Sequence, residues 1–179
     1  MVRAETGPAA VFINGTVGAG KSTAAEAVGQ LLAVQDVPHA VVDLDALRRV
    51  WPATPEDPLN NAVELENLEA VAATYRRAGA RLLILAGVLE QPSLRSRYAA
   101  AVAAPLTVVR VRTDVATIQQ RLRQRHRDDA AALDWHLPRC GELHAILERA
   151  AVDDAVVDAT DLDRLQVAEA VMRAVGWSR

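Results

Sequence analysis

The feature that most limits what this chain can fold into is an eight-residue string near its start, Gly15-Thr16-Val17-Gly18-Ala19-Gly20-Lys21-Ser22. A short apolar run, Ala9 to Asn14, precedes it, and Ala24, Ala25, Val28, Leu31 and Leu32 follow at helical spacing. An apolar run ending at a glycine reads as a buried parallel strand, and the stripe after it as an amphipathic helix. Glycines between the two let the main chain turn its N–H groups inward, above the positive end of the helix. In the spacing Gly-x-x-x-x-Gly-Lys-Ser, the backbone and Lys21 grip the phosphates of a nucleoside triphosphate, and the Ser22 hydroxyl reaches Mg²⁺. Gly15, Gly18, Ala19, Gly20, Lys21, Ser22 and Thr23 are therefore expected to bind ATP. A flexible glycine turn is the plainer alternative, and it leaves the flanking strand and helix unexplained.

Composition sharpens this expectation. Of the 20 basic residues, 19 are Arg, and Lys21 is the sole Lys. A chain that avoids Lys elsewhere has one where an ammonium must meet a phosphate. A formal net charge of −3 argues against nucleic acid or acidic membranes as partners. Cys140 has no second cysteine to pair with, and there is neither a charged-then-apolar leader nor a long apolar run. These predict a cytoplasmic protein, and leave both a monomer and a homodimer open.

The 179 residues suit one domain, with Met1 to Pro8 as a loose arm. Strands are expected at Ala9 to Asn14, Pro38 to Val42, Arg81 to Ala86, Leu106 to Val111 and Ala155 to Asp158. Helices are expected between them: from Lys21, at Ala46 to Val50, Asn60 to Ala78, Pro92 to Val102, Asp114 to His126 and Leu137 to Ala150. A last helix runs from about Leu162 to Val175, and the proline-rich stretch Trp51 to Pro58 reads as a mobile loop. Strand–helix alternation predicts an α/β fold: a five-stranded parallel sheet with helices on both faces.

Other residues must say what the phosphate loop serves. The third strand ends Leu85-Ala86-Gly87 without a carboxylate, whereas Asp43 and Asp45 follow the second. In extended chain their i, i+2 spacing points both toward the nucleotide crevice. Asp43 then holds the Mg²⁺ shell and Asp45 accepts a proton from an attacking hydroxyl. Capping of the next helix is a second, compatible use for Asp45. Gly87 either leaves room for an acceptor or only ends a strand. Downstream, Arg121, Arg123, Arg125 and Arg127 crowd one helix end, Arg121 and Arg125 on a common face. That face either stabilises charge on a transferring phosphoryl or is solvated surface.

With these residues in place, the chain resembles the small-molecule P-loop kinases: shikimate kinase, gluconate kinase, adenylylsulfate kinase and chloramphenicol phosphotransferase. The resemblance rests on the P-loop and on Val42-Asp43-Leu44-Asp45-Ala46-Leu47-Arg48, an acidic motif with Arg close behind. It implies that Asp45 and Arg48 contact the acceptor and that about 121–139 form a small helical lid presenting Arg121 and Arg125. It also implies an adenine-side loop at Val157 to Asp161, hence Thr160. Arg139 is expected to reach back to the phosphates or substrate, and Trp135 to wall the acceptor pocket or pack under the lid. The glycine run of shikimate kinases is replaced by Ala86-Gly87-Val88, and Leu44 stands where adenylylsulfate kinases have Gly. No single family's substrate therefore carries over. The expected activity is transfer of the γ-phosphoryl of ATP to a small-molecule hydroxyl. The other reading is a nucleotide-binding regulatory protein with slow hydrolysis or none.

Overall fold

The computed structural model describes residues 7–178; all but the last two residues of the expected N-terminal arm lie outside them. Five strands form one parallel sheet in the order β2-β3-β1-β4-β5: β1 (Ala9–Asn14), β2 (His39–Asp43), β3 (Leu82–Ala86), β4 (Leu106–Arg112) and β5 (Ala155–Asp158). Around them lie α1 (Lys21–Val34), α2 (Leu44–Leu47), α3 (Asn61–Arg77), α4 (Pro92–Val102), α5 (Val115–Arg125), α6 (Ala130–Ala150) and α7 (Arg164–Ala174).

Strand alternation builds the layers. Along β1, Val11 and Ile13 face one core with α1 and α7, while Ala10 and Phe12 face the other with α3 and α4. The same split runs through β3, Leu82 and Ile84 against Leu83 and Leu85. Both faces are apolar because both are covered, which is why these strands read as continuous runs. The strand order reverses at β1, between β3 and β4. Such a switch point opens a crevice at the carboxyl ends of the strands, and the phosphate loop leaves β1 there.

Three expectations change. The helix predicted from Leu137 begins at Ala130, because Asp129 caps it by accepting from Ala132 N at 3.0 Å. Pro138 sits inside this helix and does not mark a new start. The short helix expected at Ala46 occupies Leu44–Leu47, and its cap is Asp43. The proline-rich loop is tied at both ends. Asn60 Nδ2 donates to the carbonyls of Arg48 and Val50 at 3.0 and 3.2 Å, and Asp57 accepts from Asn61 N and Ala62 N, each at 2.8 Å.

Candidate active site

The phosphate loop is built by its glycines and by what packs on them. Gly20 caps α1 at φ 96, ψ 21, and no side chain caps that helix. Left-handed backbone suits glycine there, and the first-turn N–H groups of α1 are left for an anion. Gly18, at φ +80, lies so close to α5 that an added Cβ would sit 2.9 Å from Ile118 Cγ2. Thr16 Oγ1 donates to the Cys140 carbonyl at 2.9 Å, fastening the loop to α6.

Asn14 secures the loop's entry and was not singled out from the sequence. Its Oδ1 accepts from Gly15 N and Leu89 N, both at 2.9 Å, and its Nδ2 donates to Leu89 O at 3.1 Å and Asp153 Oδ1 at 2.9 Å. One fully buried amide thus uses all its donors and acceptors to lock β1 to the segment after β3. The only signal was an Asn closing an otherwise apolar strand.

Half-buried Lys21 donates to the Thr16 carbonyl at 3.0 Å. Burial lowers its ammonium from 10.5 to about 8; Asp45 and Asp43 pull it back up, and Arg125 adds to the lowering. The lone Lys is therefore within electrostatic reach of both acids and of Arg125.

Asp43 and Asp45 do not lie along one extended strand. Asp43 ends β2 and Asp45 belongs to the first turn of α2, so the i, i+2 argument fails. Asp43 divides its carboxylate instead. Oδ1 accepts from Asp45 N at 3.0 Å, and Oδ2 accepts from Ser22 Oγ at 3.0 Å. The cap expected of Asp45 is thus Asp43, which leaves the Asp45 carboxylate two-thirds exposed, at 66%. A hydroxyl and one carboxylate side by side form a donor set that fits Mg²⁺, whose remaining positions go to phosphate and water. Among the described residues, no group of three His, Cys, Asp or Glu is placed to hold a metal without such help.

Arg48 pairs with Glu64 and lies 3.8 Å from Asp45. Glu64 is fully buried on α3 and accepts from Tyr98 Oη at 2.5 Å. Burial raises the Glu64 carboxyl, and burial together with Glu64 raises the Tyr98 phenol. Neither residue was expected here, although Glu64 sits four positions before Leu68 on the inward face of α3, which was a usable signal. Arg139 reaches Glu90 at 3.5 Å and Glu142 at 3.8 Å, so it is engaged with carboxylates and does not stand free toward the phosphates. Gly87 does not open space for an acceptor. A Cβ there would meet Leu44 Cδ1 at 2.6 Å and Phe12 Cζ at 3.2 Å.

A hollow of about 280 Å³ lies beside the loop, lined by Gly18, Gly20, Thr23, Arg121, Arg125 and Arg164 among others. Arg121 and Arg125 share it as their spacing predicted, while Arg127 points away and pairs with Asp128 at 3.3 Å, both largely exposed. Arg164 was missed. The sequence Asp163-Arg164-Leu165-Gln166 forms a capping box, which could have put Arg164 in the first turn of α7. Ala159 and Leu162 also line the hollow, whereas Thr160 bonds back to Asp158 at 2.7 Å and accepts from Asp114 N at 3.2 Å. Trp135 is 62% exposed and packs edge-on against His136 at 4.7 Å, so it does not lie under the lid. His136 in turn stacks on His126. No described helix is long and apolar enough to cross a membrane.

Comparison with known proteins agrees with this fold. A tunicamycin resistance protein from Deinococcus radiodurans superposes with TM-score 0.62 at 18% identity, covering 97% of this chain and 98% of the other. A shikimate kinase from Acinetobacter baumannii, solved with shikimate, gives 0.58 at 17% over 96% and 94%. The APS kinase of Mycobacterium tuberculosis, solved with AMPPNP and APS, gives 0.55 at 18% over 95% and 98%. No curated protein sequence matches the chain. The fold is that of the P-loop kinases, and because the AAA domain family profile matches residues 11–149, the chain belongs to that family.

Proposed function

We propose that the protein is an ATP-dependent phosphotransferase that moves the γ-phosphoryl group to a hydroxyl of a small molecule. The observation that carries this reading is the convergence of Lys21, Asp43, Asp45 and Arg125: both acids and Arg125 act on the one ammonium that faces the phosphate cradle.

In this account the N–H groups of the loop and the Lys21 ammonium hold the polyphosphate. Ser22 and Asp43 would hold Mg²⁺, which when bound neutralises charge on the phosphate oxygens. Asp45, exposed beside the cradle, orients the acceptor hydroxyl and takes its proton. The acceptor oxygen forms the new bond to phosphorus, the bond to the β-phosphate bridging oxygen breaks, and ADP leaves. Arg121 and Arg125 meet the charge on the equatorial oxygens of a loose transition state. The adjoining hollow, with Arg164, accommodates the nucleoside end.

The test incubates the protein with ATP, Mg²⁺ and pooled hydroxyl compounds and follows phosphorylated products by mass spectrometry. A product gaining one phosphoryl group, lost with Lys21→Ala, is expected. Acceptor-independent ADP release that Asp45→Asn leaves unchanged would argue for a nucleotide hydrolase or sensor.

A further inference from the structure

The sheet face that carries Ala10, Phe12 and Val108 ends in a buried ion pair, directly behind the entry to the phosphate loop. Asn14 on β1 and Arg110 on β4 are neighbours in register, and both are buried. Asp153, with a side chain 4% exposed, bridges them. Its Oδ1 accepts from Asn14 Nδ2 at 2.9 Å, and its Oδ2 lies 3.2 Å from Arg110 Nε. The Nε–H makes no aligned hydrogen bond, so what Arg110 supplies to Asp153 is charge. Arg110 Nη2 is also 3.1 Å from Glu148 on α6, the helix whose Cys140 carbonyl holds Thr16. Burial pushes the Asp153 carboxyl up, while Asn14 and Arg110 bring it back down.

A buried ion pair adds little to stability, because desolvation offsets most of its attraction; what it can secure is a single geometry. At this place the geometry is that of the Asn14 amide. A carboxylate only accepts, so it holds the Nδ2 end and leaves Oδ1 to Gly15 N and Leu89 N, each at 2.9 Å. Its charge also polarises the amide and strengthens Oδ1 as an acceptor. Gly15 begins the loop and packs so closely on β4 that an added Cβ would lie 2.6 Å from the Val111 carbonyl oxygen. The peptide between Asn14 and Gly15 therefore sets the direction in which the loop leaves β1. Asp154, the next residue, offers a contrast within the same segment. It pairs with Arg95 at 2.5 Å and accepts from Val108 N at 2.8 Å, and its described contacts do not include the loop.

We propose that Asp153, with the charge of Arg110 beside it, is a positioning residue for nucleotide binding: through Asn14 it fixes the start of the phosphate loop in the conformation that grips a triphosphate. It acts on the Asn14 amide and not on the nucleotide itself. The proposal rests on the nucleotide site of the phosphotransferase reading and is independent of the acceptor.

The test is calorimetric titration of AMPPNP with Mg²⁺ into the full chain, with thermal melting of the same preparations. Asp153→Asn keeps the shape but turns an NH₂ group toward either Asn14 or Arg110, so one contact is lost whichever way it lies. Affinity for AMPPNP is expected to fall about tenfold in Asp153→Asn and to stay within about twofold of wild type in Asp154→Asn. Both variants should melt at a lower temperature, so a merely structural role would move the two affinities alike. Arg110→Gln removes the charge and leaves Asp153 in place. It should weaken AMPPNP in the same direction, and it carries the test should Asp153→Asn fail to fold. Unchanged affinity in Asp153→Asn or in Arg110→Gln, or an equal loss in Asp154→Asn, would overturn the proposal and leave the nucleotide site standing. A wild-type protein that binds no AMPPNP would remove the phosphotransferase reading itself, and this proposal with it.

Discussion

The hydroxyl of Ser22 donates to Oδ2 of Asp43 across 3.0 Å, joining the first turn of α1 to the end of β2. The second oxygen of that carboxylate caps α2. Asp43→Asn keeps an oxygen for the cap and removes the charge that would attract Mg²⁺. The expected result is at least a roughly tenfold rise in the Mg²⁺ concentration needed for half-maximal turnover, with little change in thermal stability. An unchanged Mg²⁺ titration would remove Asp43 from the metal.

The Lys21 ammonium, brought down to about 8 by burial, makes nucleotide binding depend on pH. ATP binds the protonated form and raises its pKa, so binding takes up a proton where the free protein has lost one. Affinity should be flat below about pH 8 and fall above it by up to about tenfold per unit. Lys21→Met should bind weakly and without that slope. Calorimetry in buffers of different ionisation enthalpy checks the proton uptake. Equal affinity on both sides of this value would show that the ammonium does not face the phosphates.

Two arginines of the hollow beside the loop should separate kinetically. Arg125 acts on Lys21 and is assigned to the transferring phosphoryl, so Arg125→Ala should lower kcat by about a hundredfold with a smaller change in ATP affinity. Arg164 opens α7 and also lines the hollow, and Arg164→Ala should weaken ATP binding with kcat largely retained. The reverse split would exchange their places.

Tyr98 donates to a carboxylate that has no solvent, and its ring meets Phe12 edge-on at 5.0 Å. Tyr98→Phe keeps the packing and leaves Glu64 short of a donor. Urea unfolding should show a loss of about 1.5–3 kcal/mol. A loss below about 0.5 kcal/mol would mean that Arg48 alone satisfies the buried acid.

How much of this was legible in the sequence follows from the range of the forces involved. The five strands and the start of α1 were readable because apolar runs, glycines and caps act within a few residues. Pairing of Arg121 and Arg125 was readable from helical spacing for the same reason. The start of α6 was not, because the expectation followed the apolar stripe from Leu137 to Ala150, while the operative signal was the Asp129 cap. Asp45 was read as extended chain after the second strand because the short helix was expected only from Ala46, whereas it begins at Leu44. Long-range ties were hidden altogether. Gly87 yields to Leu44 across 43 positions, and Asn14 meets Asp153 across 139. Arg48 follows the end of α2 and Glu64 lies on α3, and nothing local in either segment announces the other.

The account turns on Asp45 taking a proton while the loop and the adjoining hollow hold the nucleotide without it. Asp45→Asn is therefore the deciding variant, with ATP affinity and phosphoryl transfer to an accepted hydroxyl compound measured on the same preparation. The predicted result is ATP affinity within about twofold of wild type and transfer reduced by about a hundredfold or more. Transfer at the wild-type rate, or a collapse of ATP affinity in place of transfer, would contradict it.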